Sequence, residues 1–190
     1  MLNIPQNAAL VIIDVQQAFD LIEYWGGNRN NPECEKNIAK LLHAWRTTSR
    51  KIYHVQHCSV EPGSPLSPKH PGNAFKPEAT PLGGEPIFKK TVNSAFIGTT
   101  LESELRKDGC EWVFLVGLTT NHCVETSTRM SGNLGFNTFL VDDACATFDR
   151  VGPNGKKHLA EDIHEMTMSN LSGEFCTVVQ TEEILNSINH

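Results

Sequence analysis

The sequence contains no long apolar run, and its first residues lack the pattern of a secretion signal. The early apolar stretch AALVII covers only residues 8–13 before Asp14 interrupts it, and the first positive charge is Arg29. A membrane-spanning helix needs about 20 apolar residues, and a signal peptide needs a basic segment before its apolar core. We therefore expect neither, and we predict a cytoplasmic protein without a membrane partner.

Closely spaced cysteines are also missing. The chain has six cysteines, but they are widely scattered and none belongs to a C-x-x-C pair. Together with the missing secretion pattern, this spacing indicates the reducing cytoplasm, where thiols stay free. For most of these cysteines we predict buried and unreactive side chains.

A third absence is that of basic runs, and the formal net charge is -6. Proteins that bind nucleic acids or anionic membranes present clustered lysine and arginine, so the acidic balance argues against both partners. Hydrophobic residues make up 39% and charged residues 20% of the sequence, which is ordinary globular composition. A chain of 190 residues fits one domain, which we assign to residues 1–190, and we expect a small-molecule substrate.

Strand-like and helix-like segments alternate along the chain. Continuous apolar runs such as ALVIIDV and EWVFLVG are typical of parallel strands that are buried on both faces. We predict a three-layer α/β/α fold, doubly wound and Rossmann-like, with a mainly parallel six-stranded sheet in the order 3-2-1-4-5-6. The predicted strands are 9–15, 51–57, 86–90, 111–117, 136–144 and 175–180.

Helices are predicted between these strands. Asn31, Pro32 and Glu33 form a helix-start signal in which Asn31 is the N-cap, and this helix should end near Arg50. Leu159, Ile163 and Met166 recur at helical spacing and mark a later helix. The remaining helices are predicted around 99–108, at 123–134 and from residue 181.

Residues 58–86 differ from the rest of the chain because they hold seven of the ten prolines and show no periodicity. A segment of this length without regular structure is uncommon in a compact domain and tends to be functional. Two interpretations stay open at this point. The segment is either a solvated surface loop or a cover over an active site, since binding loops are carried by rigid scaffolds.

Three reactive side chains fall at the carboxyl ends of predicted strands. Asp14 ends the first strand, Lys90 ends the third, and Cys123 lies just beyond the fourth, where the next helix starts. These strand ends share the edge at which such sheets bind ligands. Each residue has an ordinary alternative, namely a turn cap, a solvated charge and buried filler. Together they fit one mechanism, in which a helix N-terminus and Lys90 lower the pKa of the Cys123 thiol and Asp14 carries its proton.

The chain resembles the isochorismatase-like cysteine hydrolases, a superfamily that includes nicotinamidases and other small amidases. The resemblance spans nearly the whole chain, from ALVIIDVQQAF through FKKTVNSAFIGTTLESEL to VGLTTNHCVETSTRMSGNLGF and LVDDACATFD. It implies a catalytic triad of Asp14, Lys90 and Cys123. The spacing within KTVNSAF selects Lys90 rather than Lys89.

The same resemblance implies that GLTTNHCV supplies an oxyanion hole as well as the nucleophile. It implies a cis peptide bond between Leu118 and Thr119, with the backbone amides of Thr119 and Cys123 facing the developing oxyanion. The proline-rich and NLGF segments are most similar to a branch of small amidases and lactam hydrolases. We therefore predict hydrolysis of a C–N bond in a small amide or cyclic amide through a thioester. Hydrolysis of a small ester, thioester or vinyl ether, or a non-catalytic binding homologue, are the alternatives.

One part of the chain departs from the nicotinamidases. Those enzymes carry an Asp-x-His metal motif after the second strand, whereas this chain has QHCSV, with His57 and Ser59. The spacing of His54, His57 and His70 matches no common zinc pattern. We predict that no metal and no other cofactor takes part, and that His54 is a strand histidine with a local hydrogen bond.

Substrate contacts and assembly are predicted from position and resemblance. Phe19 and Trp25 are candidate pocket walls, with ordinary packing as the alternative, and His57 is a candidate pocket-lining residue. Asn93 and Thr120 are candidate hydrogen-bonding partners of the substrate, with helix capping as the alternative for Thr120. Because family members are commonly oligomers, the resemblance also implies a homodimer or homotetramer in which a neighbouring loop closes the pocket.

Overall fold

The structure, a computed structural model, describes residues 2–188. Its main sheet has six parallel strands. A separate antiparallel pair of short strands comes between the fifth and the last strand of this sheet in the chain. The strands are β1 (Ala9–Ile13), β2 (Lys51–His57), β3 (Ile87–Lys90), β4 (Trp112–Leu118), β5 (Asn137–Ala146), β6 (Arg150–Val151), β7 (Lys157–His158) and β8 (Thr177–Val179). The main sheet has the order β3-β2-β1-β4-β5-β8, which confirms the predicted order, since β8 is the predicted sixth strand.

Helices cover both faces of the main sheet, so the predicted three-layer architecture is confirmed. The α-helices are α1 (Ile22–Trp25), α2 (Cys34–Thr47), α3 (Leu101–Lys107), α4 (Glu125–Asn133), α5 (Ala160–Leu171) and α6 (Thr181–Ile188). Strand β1 shows why its run is apolar throughout. Leu10 and Ile12 pack in the core with α2 and α6, whereas Val11 and Ile13 pack in the core with α3 and α5.

The start of α2 differs from the prediction. Asn31 has a positive φ of 46° and lies in a turn, and the helix begins only at Cys34. The Asn31 side-chain amide donates to the backbone oxygens of Asp142 (2.9 Å) and Cys145 (2.7 Å) in β5. The prediction of Asn31 as N-cap was therefore wrong, because tertiary hydrogen bonds engage the side chain that would have capped the helix.

The orientation of α5 also differs from what its apolar residues suggest. Leu159 is 47% exposed and Met166 is 61% exposed, although their spacing correctly marked a helix. The buried face instead carries His164, Thr167 and Leu171. A hydrogen bond of 2.6 Å between His164 and a carboxylate of β5 accompanies this orientation. The face of α5 that packs on the sheet is thus the one with the His164 hydrogen bond, not the one with Leu159 and Met166.

Residues 58–86 pack against the rest of the molecule and do not form a solvated loop throughout. They contain two 3₁₀ turns, Pro71–Asn73 and Pro77–Ala79. The Asn73 side chain donates to the backbone oxygen of His57 (2.8 Å), and Lys76 forms ion pairs with Asp20 (2.6 Å) and Glu35 (2.7 Å). These polar contacts hold the segment against the fold, and its position over an active site stays a prediction. None of the helices within residues 2–188 combines the length and the apolar character that a membrane span requires.

We expect Gly117→Ala to destabilise the fold strongly. Gly117 has a φ of +130°, and a Cβ atom there would lie 2.0 Å from the backbone oxygen of Ile13 in the neighbouring strand. The strain and the overlap together should lower the free energy of unfolding by roughly 2–4 kcal/mol. Urea denaturation of both proteins measures this difference.

Gly83→Ala is the matched control for that change. Gly83 has an ordinary φ, and a Cβ atom there would meet no heavy atom within 4 Å. Its free energy of unfolding should stay within about 0.5 kcal/mol of the wild type. Equal stability of the two variants would contradict the proposed steric role of Gly117.

Candidate active site

The structure brings the three predicted catalytic side chains together at the carboxyl edge of the sheet. Asp14 follows β1, Lys90 is the last residue of β3, and Cys123 lies in a helical turn that follows β4. The Lys90 ammonium donates a hydrogen bond of 2.6 Å to Asp14 Oδ2. The Cys123 sulfur lies within 4.8 Å of a carboxylate oxygen of Asp14. An acid, a base and a thiol from three separate elements thus share one site.

Backbone conformation explains how Asp14 reaches this position. The residue has a φ of +52°, which turns the chain sharply where β1 ends, and its amide donates to the backbone oxygen of Val55 (3.0 Å). This left-handed conformation costs a non-glycine residue about 1–2 kcal/mol. Such strained positions are concentrated at functional sites, where the surrounding structure holds them in place.

The Asp14–Lys90 ion pair is almost completely removed from water, with side-chain exposures of 1% and 0%. Burial opposes the charge on Lys90, but the carboxylate of Asp14 outweighs it and raises the pKa of Lys90 above its ordinary value. Among the residues that the structure describes, the second oxygen of Asp14, Oδ1, has no hydrogen-bond partner. The pair therefore offers a free carboxylate lone pair beside Cys123.

The protonation state of Cys123 differs from the prediction. Burial and the negative charge of Asp14 raise the pKa of the Cys123 thiol well above its ordinary value, although the positive charge of Lys90 opposes them. The prediction of a lowered pKa was therefore wrong for the resting site. A helix terminus and a lysine do not offset burial beside a carboxylate. The Cys123 side chain is therefore a neutral thiol in this site.

This raised pKa predicts the pH dependence of alkylation at Cys123. The thiolate is the reactive form, and its fraction rises about tenfold per pH unit below the pKa. We expect the rate constant for iodoacetamide to rise continuously between about pH 6 and pH 9, with no plateau near neutrality. Stopped reactions followed by peptide mass spectrometry give the rate at Cys123. A plateau with an apparent pKa below about 7 would contradict the neutral resting thiol.

The prediction that Cys123 starts an α-helix was wrong. Residues Thr120–Val124 form a π-helical turn, and α4 begins only at Glu125. The peptide bond between Leu118 and Thr119, just before this turn, is cis, as the resemblance implied. The first N–H groups of a helical turn have no partners within the turn, so they are available to bind an oxyanion.

Ser127 connects this turn to the segment after β3. Its hydroxyl donates to the backbone oxygen of Cys123 (2.6 Å) and accepts from the amide of Ala95 (2.9 Å). The segment that contains Ala95 follows Lys90 directly in the chain. Ser127 therefore ties the backbone of Cys123 to the segment that follows Lys90 through one buried hydroxyl.

His57 belongs to the same cluster. Its Nδ1 lies 3.2 Å from the Lys90 ammonium, and because an ammonium can only donate, Nδ1 is the acceptor. Burial, together with the charge of Lys90, lowers the pKa of His57 below its ordinary value. The ring is therefore neutral, with its proton on Nε2. His57 reaches the reacting groups more closely than its predicted pocket-lining role required.

A metal ion is the other occupant to consider at this cluster. One donor atom from each of Asp14, His57 and Cys123 lies within 4.8 Å of the other two, which is a donor set that a soft divalent metal accepts. The Lys90 ammonium, however, already occupies Asp14 Oδ2 (2.6 Å) and His57 Nδ1 (3.2 Å). A cation at these lone pairs would meet the positive charge of Lys90. The residues present therefore fit proton transfer better than metal binding.

The other two histidines that the sequence offered as zinc ligands, His54 and His70, make hydrogen bonds elsewhere in the fold. His54 Nε2 pairs with Glu85 at 2.7 Å, and the amide of Gly72 donates to His70 Nδ1 at 2.9 Å. His54 is thus a strand histidine with a hydrogen bond, as predicted, but its partner Glu85 lies 31 residues further along the chain and is not local in sequence.

Comparison with known proteins identifies the family. The family model of the isochorismatase domain matches residues 8–183 of the chain. The chain belongs to the isochorismatase family. It is 44% identical over 181 residues to the isochorismatase family protein YrdC of Bacillus subtilis, and the match covers 95% of this chain and 96% of YrdC. The resemblance inferred from the sequence is therefore confirmed.

A solved structure and a named relative extend this comparison. The crystal structure of an isochorismatase-family protein from Chromobacterium violaceum has a TM-score of 0.93 and 43% sequence identity, covering 97% of this chain and 95% of that chain. The ureidoacrylate amidohydrolase RutB of Acinetobacter baylyi is 26% identical over 223 residues, covering 98% of this chain and 85% of RutB. The isochorismatase-family fold is thus shared along the whole chain.

The structure places the predicted pocket walls in an aromatic cluster. The ring of Phe19 is 3% exposed and lies 4.8 Å from the ring of Trp25 and 6.2 Å from that of Phe148. The Trp25 indole donates to the backbone oxygen of Ala18 (2.8 Å). The contacts of Phe19 are those of ordinary packing. Trp25, which is only half-buried, also borders a cavity of about 400 Å³.

The two predicted hydrogen-bonding residues have different surroundings. Asn93 is exposed on the segment after β3, where its amide is accessible. Thr120 is completely buried, and its hydroxyl lies 2.9 Å from His164 Nδ1. The structure therefore engages the Thr120 hydroxyl with α5.

Sequence reasoning did not identify His164 or Asp142 as neighbours of the site. The signal that could have revealed them is the polar stripe of α5, in which Ala160, His164, Thr167 and Leu171 recur at helical spacing. The apolar residues on the opposite face were the stronger signal. A role for a buried histidine on α5 can be inferred only when its contacts are known.

Proposed function

We propose that the protein hydrolyses a carbon–nitrogen bond in a small amide or cyclic amide through a thioester on Cys123. One observation carries the proposal. A neutral thiol lies beside a buried carboxylate whose Oδ1 has no hydrogen-bond partner among the described residues, while Oδ2 is held by Lys90. Membership of the isochorismatase family and the similarity to an amidohydrolase support it.

In the first half of the reaction, the sulfur of Cys123 attacks the carbonyl carbon while the thiol proton moves to Asp14. The developing oxyanion is held by the backbone amides of Thr119 and Cys123. Asp14 then passes the proton to the leaving nitrogen, the C–N bond breaks, and the amine or ammonia departs. The acyl group remains on sulfur as a thioester.

In the second half, one water molecule attacks the thioester carbonyl. Asp14 accepts a proton from this water, and the same amides hold the second oxyanion. When the C–S bond breaks, Asp14 returns the proton to the sulfur and the carboxylic acid is released. One water molecule is consumed per turnover, and the site ends as it began.

Lys90 holds the carboxyl group of Asp14 in place through both halves. Its ammonium is 2.6 Å from the carboxylate and its exposure is 0%, so water does not screen the attraction. His57, at 3.2 Å from the same ammonium, holds Lys90 from the other side. The ammonium therefore stays in place while the carboxylate gains and loses a proton.

A substrate panel with product analysis tests this proposal. Primary carboxamides, cyclic amides and p-nitrophenyl esters are incubated with the enzyme, and released ammonia or amine is measured by a coupled assay. Ring opening of cyclic amides is followed by mass spectrometry, which also detects an acyl adduct on Cys123 after acid quenching. Turnover of amides with a Cys123 adduct is expected. Turnover of esters without any amide cleavage would establish the alternative hydrolase chemistry instead.

We also propose that the protein forms a homodimer or homotetramer. The family resemblance supports this, as do exposed apolar side chains on α5 and the β6–β7 hairpin, where Met166 is 61% and Val151 is 70% exposed. Light scattering coupled to gel filtration measures the mass in solution. A monomer of 21.1 kDa at micromolar concentration would contradict the proposal.

A further inference from the structure

A buried hydrogen-bonded relay lies behind the turn that carries Cys123. The Thr120 hydroxyl is 2.9 Å from His164 Nδ1, and His164 Nε2 is 2.6 Å from Asp142 Oδ1. The other carboxylate oxygen of Asp142 accepts from the Gln180 side chain at 2.7 Å. Thr120 belongs to the π-helical turn, His164 to α5 and Asp142 to β5. Three elements are therefore joined at one point beside the site.

The order of donors and acceptors in this relay follows from its chemistry. An ionised carboxylate only accepts, so His164 Nε2 donates to Asp142. The hydrogen bond from His164 lowers the pKa of Asp142, although burial opposes this, so the carboxylate is ionised at neutral pH. When Nε2 carries the only ring hydrogen, Nδ1 has none and accepts from the Thr120 hydroxyl. Asp142 therefore sets the tautomer that Thr120 requires.

The relay holds the turn at the residue where its position matters. Thr120 lies between Thr119 and Cys123, whose amides face the oxyanion in the proposed mechanism. Thr119, the N-cap of the turn, makes no side-chain capping hydrogen bond. The Asn121 side chain accepts from the Thr147 hydroxyl and Ser127 donates to the Cys123 backbone oxygen, whereas the Thr120 hydroxyl holds the turn to α5. Thr120 is 0% and His164 is 6% exposed, so water is not an equivalent partner for either. Loss of the contact would free the turn to shift.

We propose that His164, oriented by Asp142, is a positioning residue that holds the oxyanion-binding amides of Thr119 and Cys123 through the Thr120 hydroxyl. This inference rests on the proposed function. It adds a role for two residues that touch neither the substrate nor the reacting atoms. A displacement of about 1 Å in such a site costs roughly 10²-fold in rate.

Two replacements of His164 separate this role from general packing. Asparagine places its carboxamide oxygen where Nδ1 was, so His164→Asn keeps an acceptor for Thr120 and loses the contact with Asp142. Glutamine reaches the position of Nε2, so His164→Gln keeps a donor for Asp142 and loses the contact with Thr120. If the role is positioning, asparagine should preserve turnover better than glutamine. If the residue only tethers α5 to β5, the order should be reversed.

The probe is p-nitrophenyl acetate, with the best substrate of the amide panel as the second assay. We expect His164→Gln to lower kcat about 30–100-fold with KM within about threefold of the wild type, and His164→Asn to stay within about tenfold. Iodoacetamide alkylation of Cys123 passes through no oxyanion. Its rate should therefore change less than about threefold in both variants, a pattern that general loss of structure does not produce.

Thr120→Val and Thr120→Ser test the other end of the relay with smaller changes. Valine removes the hydroxyl at nearly constant shape and should lower kcat to the same extent as His164→Gln, whereas serine keeps the hydroxyl and should preserve most of kcat. Glu165→Gln, at the exposed neighbour of His164 on α5, is the control and should leave kcat unchanged.

The outcomes divide clearly. Equal kcat values for the asparagine and glutamine variants, or alkylation rates that fall in parallel with kcat, would overturn the positioning role while the proposed function stands. Absence of Cys123-dependent turnover in the wild-type protein with both probes would overturn the proposed function, and the inference with it.

Discussion

Replacing Cys123 with alanine is expected to abolish hydrolysis, lowering kcat/KM by about 10⁴-fold or more. The replaced sulfur forms the bond to the acyl group, and no other group in the cluster of Asp14, Lys90 and His57 can form a thioester in its place. When residues act as one catalytic unit, removing any one of them abolishes most of the rate enhancement. The free energy of unfolding should change by no more than about 1 kcal/mol, because Cys123 is half-buried and alanine fills part of its volume.

Cys58→Ala is the matched control for this experiment. Cys58 is also half-buried and follows β2, where its amide donates to the backbone oxygen of Lys90 (2.7 Å). A backbone hydrogen bond survives the side-chain change, so turnover should remain within about threefold of the wild type. Initial rates with the best amide and urea denaturation of all three proteins make the comparison. Retention of a tenth of the activity in Cys123→Ala would exclude the thioester mechanism.

Asp14→Asn is expected to have a large effect on both activity and stability. An amide cannot accept the thiol proton or deliver it to the leaving nitrogen, so kcat should fall about 10³–10⁴-fold. The change also leaves the Lys90 ammonium buried, at 0% exposure, without its counter-charge. Leaving one member of a buried ion pair unpaired costs about 3–5 kcal/mol. Because the carbonyl oxygen of asparagine still accepts a hydrogen bond from Lys90, we expect the free energy of unfolding to fall by about 3 kcal/mol.

A second variant separates the two effects of Asp14→Asn. In the double variant with Lys90→Met, the unpaired charge is removed and an apolar chain of similar length fills the space. Buried ion pairs replaced by apolar residues are often as stable as the original, so we expect most of the lost unfolding free energy to return. Activity should stay at the level of Asp14→Asn. Recovery of activity in the double variant would show that Asp14 does not carry the proton.

The strand pattern shows how far local information reaches in this chain. Residues 9–15 were predicted as a doubly buried strand because they are apolar throughout, and β1 does place alternate side chains in the two helical layers. The predicted strand extends two residues beyond the end of β1 at Ile13, because Asp14 has a left-handed φ of +52° and turns the chain out of the sheet. Element type follows from neighbours in sequence, whereas element ends depend on contacts that local patterns do not contain.

Contacts between distant residues decided the features that the sequence left open or predicted wrongly. Asn31 bonds to β5, so it does not cap α2, and the buried hydroxyl of Thr120 bonds to His164 on α5. Each side chain has several partners that its chemistry permits. Which partner is within about 3 Å depends on packing between elements that are more than 40 residues apart.

The sequence by itself determined which segments are strands and that Asp14, Lys90 and Cys123 lie at or just beyond strand ends, because apolar runs and their ends are local properties. Only the tertiary structure decided the protonation state of Cys123. A thiol pKa depends on burial and on charges that come from other strands, and here the carboxylate of Asp14 and the loss of water outweigh the ammonium of Lys90. Cys123 rests as a thiol because the fold places it, largely removed from water, beside the carboxylate of Asp14.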